Sequence, residues 1–138
     1  MAVLVNNQRP DNKPGYMFDD NTATFYHNGW NTGLPGVKVY FGYEVDVSRV
    51  KIINRLDVLS YLKNLENTVV SVMLKDGGVD ECGILTEVNT VSQSVEDQTY
   101  TVFCGNTKGI GLSVQRPSQG NRWCISELEI YHFTGTVH

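Results

Sequence analysis

The chain has 138 residues and a mass of 15.4 kDa, which is one ordinary domain with little length to spare. Hydrophobic residues make up 41% and charged residues 19%, enough apolar material for a core and too much for a disordered segment. The net charge of −4, with lysines and arginines scattered singly, excludes the basic stripe of a nucleic-acid binder. No apolar run approaches the roughly 18 residues that a membrane-spanning helix needs.

Met1–Val5 lacks the basic and apolar regions of a secretory signal, so the start fits either a cytosolic protein or a mature secreted domain. No N-x-S/T sequon occurs to decide between them. Residues 6–16 (NNQRPDNKPGY) read as an extended, irregular lead-in, because Pro10, Pro14 and Gly15 interrupt regular structure. Eighteen valines, with many Thr and Tyr, then favour strands, since branched and aromatic side chains fit a pleated surface. Val37–Phe41 reads as a strand, and Val47–Ile53 as another after a turn near Gly42. Asp57–Asn67 (DVLSYLKNLEN) spaces Leu59, Leu62 and Leu65 three apart and reads as an ordered loop containing a helical turn.

Thr68–Leu74 alternates Val70, Val72 and Leu74 on one face, and Asp76-Gly77-Gly78 ends it as a turn. Thr99–Cys104 and Ile110–Val114 repeat the two-residue period, and Arg122–Phe133 reads as one long last strand. No repeat, linker or low-complexity tract divides the chain, so residues 1–138 form one domain. Short strands at intervals of about ten residues predict an all-β protein, a β-sandwich or jelly roll.

Catalytic motifs are not in view. Glu127 and Glu129 stand two apart on one strand, whereas glycosidase carboxylates flank the substrate from separate elements. The three histidines and three cysteines show no metal-ligand spacing, and no glycine-rich loop sits between a strand and a helix. Three cysteines allow one disulfide and leave one thiol over.

Three segments carry a resemblance. Phe18–Tyr26 (FDDNTATFY) resembles the D-G-D-x-x-T-x-W loop of galactose-binding-like domains of the discoidin type. Val50–Asp57 (VKIINRLD) resembles the V-x-I-x-N-R-x-D strand end of the fucose-binding F-type lectins. Ile125–Tyr131 (ISELEIY) resembles the closing L-C-E-V-E-V strand of that family. With Glu81-Cys82-Gly83 and Val102-Phe103-Cys104, these run in the family's order over nearly the whole chain. The resemblance implies an eight-stranded jelly-roll β-sandwich and a secreted, non-catalytic lectin domain for fucose-like or galactose-like glycans. Its sugar-binding residues would be His27, Trp30, Arg55, Asp57 and Lys63. The gaps from His27 to Arg55 and from Asp57 to Lys63 are each one residue longer than in the family pattern.

Planar charged donors suit sugar hydroxyls, and an Asp beside the Arg can hold its guanidinium in place. Val58 and Leu59 occupy the positions of the family's adjacent stacking cysteines, so an aliphatic platform, Trp30 or Tyr61 would replace them. The resemblance also implies a structural Ca²⁺ held by Asp19, Asn21, Thr24 and Glu127, oxygen donors that suit this hard cation. It pairs Cys82 with Cys104, on neighbouring strands, and leaves Cys124 as a buried thiol; a disulfide in turn implies an extracellular compartment. On residue chemistry alone, Asp19 and Asp20 also suit an Asx-turn, and Arg55 with Asp57 a surface ion pair worth under about 1 kcal/mol. A discoidin-type module binding protein or phospholipid through an exposed Trp30–Leu34 loop is the alternative function. Homo-oligomerisation is compatible with either.

Overall fold

Apolar alternation does fix the strands, but two of them run far longer than their turn residues suggest. The computed structural model describes residues 2–5, 14–27, 34–117, 123–132 and 135–136. Its strands are β1 (Ala2–Val5), β2 (Tyr26–His27), β3 (Gly36–Ile53), β4 (Val69–Met73), β5 (Val79–Ile84), β6 (Thr99–Gln115), β7 (Cys124–Ile125), β8 (Glu127–His132) and β9 (Gly135–Thr136). Two 3₁₀ helices, η1 (Pro14–Phe18) and η2 (Leu59–Leu65), join them. Of the irregular lead-in, residues 6–13 lie outside the described residues. The helical turn expected between Asp57 and Asn67 is η2, with Leu62 and Leu65 buried and Leu59 exposed.

The expected turn at Gly42 is not a chain reversal. β3 continues through it, and the pairing with β6 steps from Tyr40↔Gly111 to Val45↔Gly109, so the extra residues of β3 bulge outward. Gly42 has φ of +85°, the left-handed conformation that such a bulge uses and that glycine adopts without a Cβ clash. Likewise Thr99–Cys104 and Ile110–Val114 belong to one strand. Here β6 carries the extra residues, with Gly105 and Asn106 at φ of +63° and +59° between Val47↔Thr107 and Arg49↔Phe103. A bulge and a turn use the same residue types, which is why the sequence reads as more and shorter strands.

These two interruptions divide one ladder into two layers. The first half of β3 pairs with β1 and with the second half of β6, which continues to β4 and β5. The second half of β3 pairs with the first half of β6 and with β8, which continues to β9. Val37, Val39, Val70, Leu112 and Val114 from the first layer and Val50, Ile52, Val102, Leu128 and Ile130 from the second share one core. The result is an all-β sandwich. No helix of the described residues is long and apolar enough to cross a membrane.

The last strand is also reshaped. Arg122 and Phe133 lie outside the described residues, and the stretch between is broken at Ser126 into β7, which pairs with β2, and β8, which joins the large sheet. The Ser126 hydroxyl lies 3.0 Å from the carbonyls of both Thr22 and Thr24, while its N–H donates to Ile53 O at 2.7 Å. Trp123, fully buried, donates from Nε1 to the Thr68 hydroxyl at 3.0 Å and meets Tyr26 edge-on.

Cys82 and Cys104 are bonded, and Cys124 is the buried free thiol. The two bonded residues are not on laddered neighbours, because β4 stands between β5 and β6 in the sheet order. Cys82 sits on the edge strand of the first layer and Cys104 in the edge half of β6 in the second, with Cα atoms 4.6 Å apart. The bond therefore fastens the two layers where backbone pairing has run out. Its sequence separation of 22 predicts that Cys82→Ser/Cys104→Ser costs about 3 kcal/mol of unfolding free energy. Urea denaturation of the oxidised protein against the double variant measures this as a lower midpoint, with a steeper slope because the uncrosslinked chain exposes more surface on unfolding.

Candidate functional site

Beyond Ile53, where β3 stops pairing, Asn54 turns inward and is fully buried. A buried amide must satisfy both its ends. Asn54 Nδ2 donates to Leu62 O at 2.7 Å and to Gln98 Oε1 at 3.3 Å, and its Oδ1 accepts the Arg55 N–H at 2.8 Å. Gln98, equally buried, donates to the carbonyls of Asn89 and Ser92 at 2.8 Å each. Gln93 adds a bond to Leu56 O at 2.8 Å. These amides lock three segments together: the end of β3, η2, and the loop that precedes β6.

On that support Arg55 projects into a clamp. Its Nε donates to Asp57 Oδ1 at 2.5 Å and its Nη2 to Asp57 Oδ2 at 3.1 Å, a bidentate pair. Its guanidinium carbon lies 3.8 Å from the centre of the Phe25 ring and 4.8 Å from that of Tyr61. Such faces attract a cation most where water is thin, and the Arg55 side chain is 14% exposed. Burial alone would lower its pKa, but the Asp57 carboxylate and the adjacent Cys124 sulfur hold it above its ordinary value. Asp57 is held below the usual carboxylate range, chiefly by its bond to Arg55. This is a fixed cation, not a loose surface ion pair.

His27 joins the same cluster from β2, as the strand partner of Cys124, with its ring 6.0 Å from that of Tyr61. It is fully buried rather than in a solvated loop. Lys63 lies exposed on η2 and forms no ion pair among the described residues. The structure thus unites His27, Arg55 and Asp57 and leaves Lys63 apart from their contacts. Trp30 lies outside the described residues. Leu34 is half-buried against the first layer, not an exposed loop tip. Phe25 is a site residue that sequence reasoning missed, because the segment also offers Phe18 and Tyr26 and nothing local singles it out. Tyr61, a candidate platform, instead closes one face of Arg55.

The second constellation is the Asp19–Thr24 loop. Asn21 N donates both to Asp19 Oδ1 and to Glu127 Oε1, each at 3.0 Å, so the loop is tied to the start of β8. Thr24 Oγ1 contacts Asp19 Oδ2 and lies 3.0 Å from Asn21 O, and Asn21 Oδ1 accepts Ala23 N at 2.9 Å. The Asx-turn geometry is therefore present, and Glu127 joins it. Glu127 Oε2 is buried and meets no donor among the described residues. Burial first, then Asp19 and Asp20, push the Glu127 carboxyl up to about 8. Burial works against Asp19 ionising as well, but the Thr24 hydroxyl, Glu127 and the Asn21 N–H hold it below its ordinary value. Among the described residues no group of three or more His, Cys, Asp or Glu is placed to hold a metal ion, so a cation at this loop would depend on carbonyl, amide and hydroxyl oxygens beside the carboxylates.

A Streptococcus pneumoniae fucose-binding module superposes with a TM-score of 0.78, at 14% identity, over 95% of this chain and 90% of its own. The fucolectin of striped bass (Morone saxatilis) serum gives 0.77 at 16% identity, over 95% of this chain and 45% of its own. The fold is that of the F-type lectins and discoidin-like domains. The family 32 carbohydrate-binding module of C. perfringens NanJ, solved with galactose, shares this F-type lectin and discoidin-like architecture at a TM-score of 0.65, 16% identity, 94% of this chain and 91% of its own. No family model and no curated protein sequence matches the chain.

The raised Glu127 group makes stability pH-dependent. A carboxyl with a higher pKa folded than unfolded binds protons more tightly when folded, so its contribution is full below the ordinary value of 4.5 and lost as pH rises toward 8. In protein stripped of divalent cations, unfolding free energy should fall between pH 5 and pH 8 by on the order of 2 kcal/mol. Glu127→Gln keeps the oxygen that accepts Asn21 N–H and should flatten that fall, as chemical denaturation at each pH would measure.

Proposed function

We propose that this chain is a non-catalytic glycan-binding domain whose binding centre is the Arg55 cluster. The observation that carries the reading is the fixed guanidinium, paired bidentately with Asp57 and clamped between Phe25 and Tyr61. Its ordering cost is met before a ligand arrives, so its remaining N–H donors meet sugar hydroxyls and ring oxygen in a set geometry. The neighbours that bind fucose and galactose share the fold, which supports a fucose-like or galactose-like ligand. His27 supports the centre from behind through Tyr61, and Lys63 is exposed on the helix that carries Tyr61. The disulfide supports an extracellular setting.

Arg55→Ala should lower glycan affinity at least about 100-fold, and Asp57→Asn about tenfold, because the latter frees the guanidinium without removing it. A glycan array followed by titration calorimetry on the best ligand reads both. Normal binding by Arg55→Ala refutes the site.

The Asp19–Thr24 loop and Glu127 would hold a structural Ca²⁺. The donors fit it: two carboxylates drawn together, one buried oxygen that no donor meets, and the Asn21 and Thr24 oxygens beside them. The cation would neutralise the carboxylate conflict and fix the loop to β8. Calcium added to chelator-treated protein should raise Tm, whereas Glu127→Gln should show no response. No calcium heat and no Tm change in the natural sequence would remove this assignment.

A further inference from the structure

The solvent face of the second layer repeats the chemistry of the Arg55 clamp in an open form. Phe103 on β6, Arg49 on β3 and Tyr131 on β8 are successive cross-strand partners, so their side chains form one row on the same face. The Arg49 guanidinium carbon lies 4.3 Å from the centre of the Tyr131 ring. Arg49 forms no ion pair among the described residues. The nearby Glu129 is engaged by Lys51 at 3.9 Å and by the Tyr131 hydroxyl. Phe103 is 70% exposed, and among the described residues nothing stacks on its ring. With Ser48 and His132 these residues line a hollow of about 410 Å³.

We propose that this face is a second saccharide subsite, with Phe103 as the stacking platform and Arg49 as the hydrogen-bond donor. An exposed ring in the middle of a strand loses apolar contact with water only if a flat apolar surface covers it. A pyranose presents such a surface in the C–H bonds of one face and carries hydroxyls at its rim within reach of the adjacent guanidinium. Charge selects an uncharged ligand over an anion, because the face sets Arg49 and Lys51 against Glu129, with Asp20 acting on the same Tyr131, and so carries no net positive charge. Size selects a sugar over a protein. The next row, Thr101–Lys51–Glu129, is polar, so the apolar patch is one ring wide and far below a protein interface. The hollow falls within the range of small-ligand sites.

The subsite is separate from the Arg55 centre, and amide chemical shifts can follow both at once. Methyl α-L-fucopyranoside and methyl β-D-galactopyranoside serve as probes for the natural sequence, Arg55→Ala, Phe103→Ala and Arg49→Lys. In Arg55→Ala the amides of Arg49, Phe103 and Tyr131 should still respond while those around His27 and Asp57 fall silent. Phe103→Ala and Arg49→Lys should each weaken the sheet-face response about tenfold and leave the Arg55 centre unaffected. Response at the Arg55 centre without any at Phe103 overturns the subsite alone. Silence at both overturns the glycan reading with it. Concentration-dependent self-association that Phe103→Ala abolishes, without sugar shifts on this face, overturns the saccharide assignment in favour of contact between copies.

Discussion

The long, twice-interrupted pairing of β3 with β6 is the constraint on which everything else rests. One antiparallel ladder runs nearly the length of both strands, yet it steps register twice, with the surplus first in β3 and then in β6. The steps are opposite in sense and nearly cancel, so the strands stay paired on both sides of them, and each half of the ladder seeds a different layer. β3 and β6 thus each contribute to both layers. This arrangement leaves open the side where β5 and the first half of β6 end as edges, and there the Cys82–Cys104 bond supplies the closure that hydrogen bonds do not.

The ladder also decides where chemistry can be located. β3 ends at Ile53 with its backbone still engaged by Ser126, and the next residue, Asn54, carries the network inward. Arg55 therefore leaves a rigid strand end, not a free loop, and the buried amides of Asn54 and Gln98 keep it so. Desolvating a guanidinium is costly, and the cluster offsets this with a carboxylate in bidentate contact and two aromatic faces. At Arg49 the same residue types stand on a strand surface in water. One ring there is covered by the cation and the other is left bare.

The alternating apolar residues of Val70–Val72 and of Leu112–Val114 were enough to place inward faces, and so to give the all-β class. The disulfide was legible only through resemblance, since three cysteines permit three pairings. What local reading could not yield is continuity. Gly42 and Gly105-Asn106 look like chain reversals because left-handed backbone is common to turns and bulges, and only the distant partner strand distinguishes them. The burial of His27 is non-local in the same sense, since its strand partner Cys124 is nearly a hundred positions away and its ring contact is with Tyr61 on η2. Phe25 was hidden for a simpler reason. Nothing in FDDNTATFY marks which aromatic ring will face Arg55, because that depends on the arrival of β3 from the far side of the chain.

A two-residue ladder such as β2–β7 has little stability of its own, so His27 takes its position from what surrounds that ladder. Upstream lies the Asp19–Thr24 loop, joined to Phe25 and His27 by the chain itself and to β8 by Asn21 and Glu127. Downstream lies Ser126, whose hydroxyl reaches back to Thr22 and Thr24. Loop, ladder and strand start are therefore tied together by hydrogen bonds from both sides. The carboxylates that oppose each other in that loop are its weakest joint, and a cation seated between them would stiffen the joint. Any such stiffening passes along two residues of backbone to Phe25 and then to His27. The loop and the Arg55 clamp are contiguous, because Phe25, whose ring lies against the Arg55 guanidinium, directly follows Thr24 in the chain.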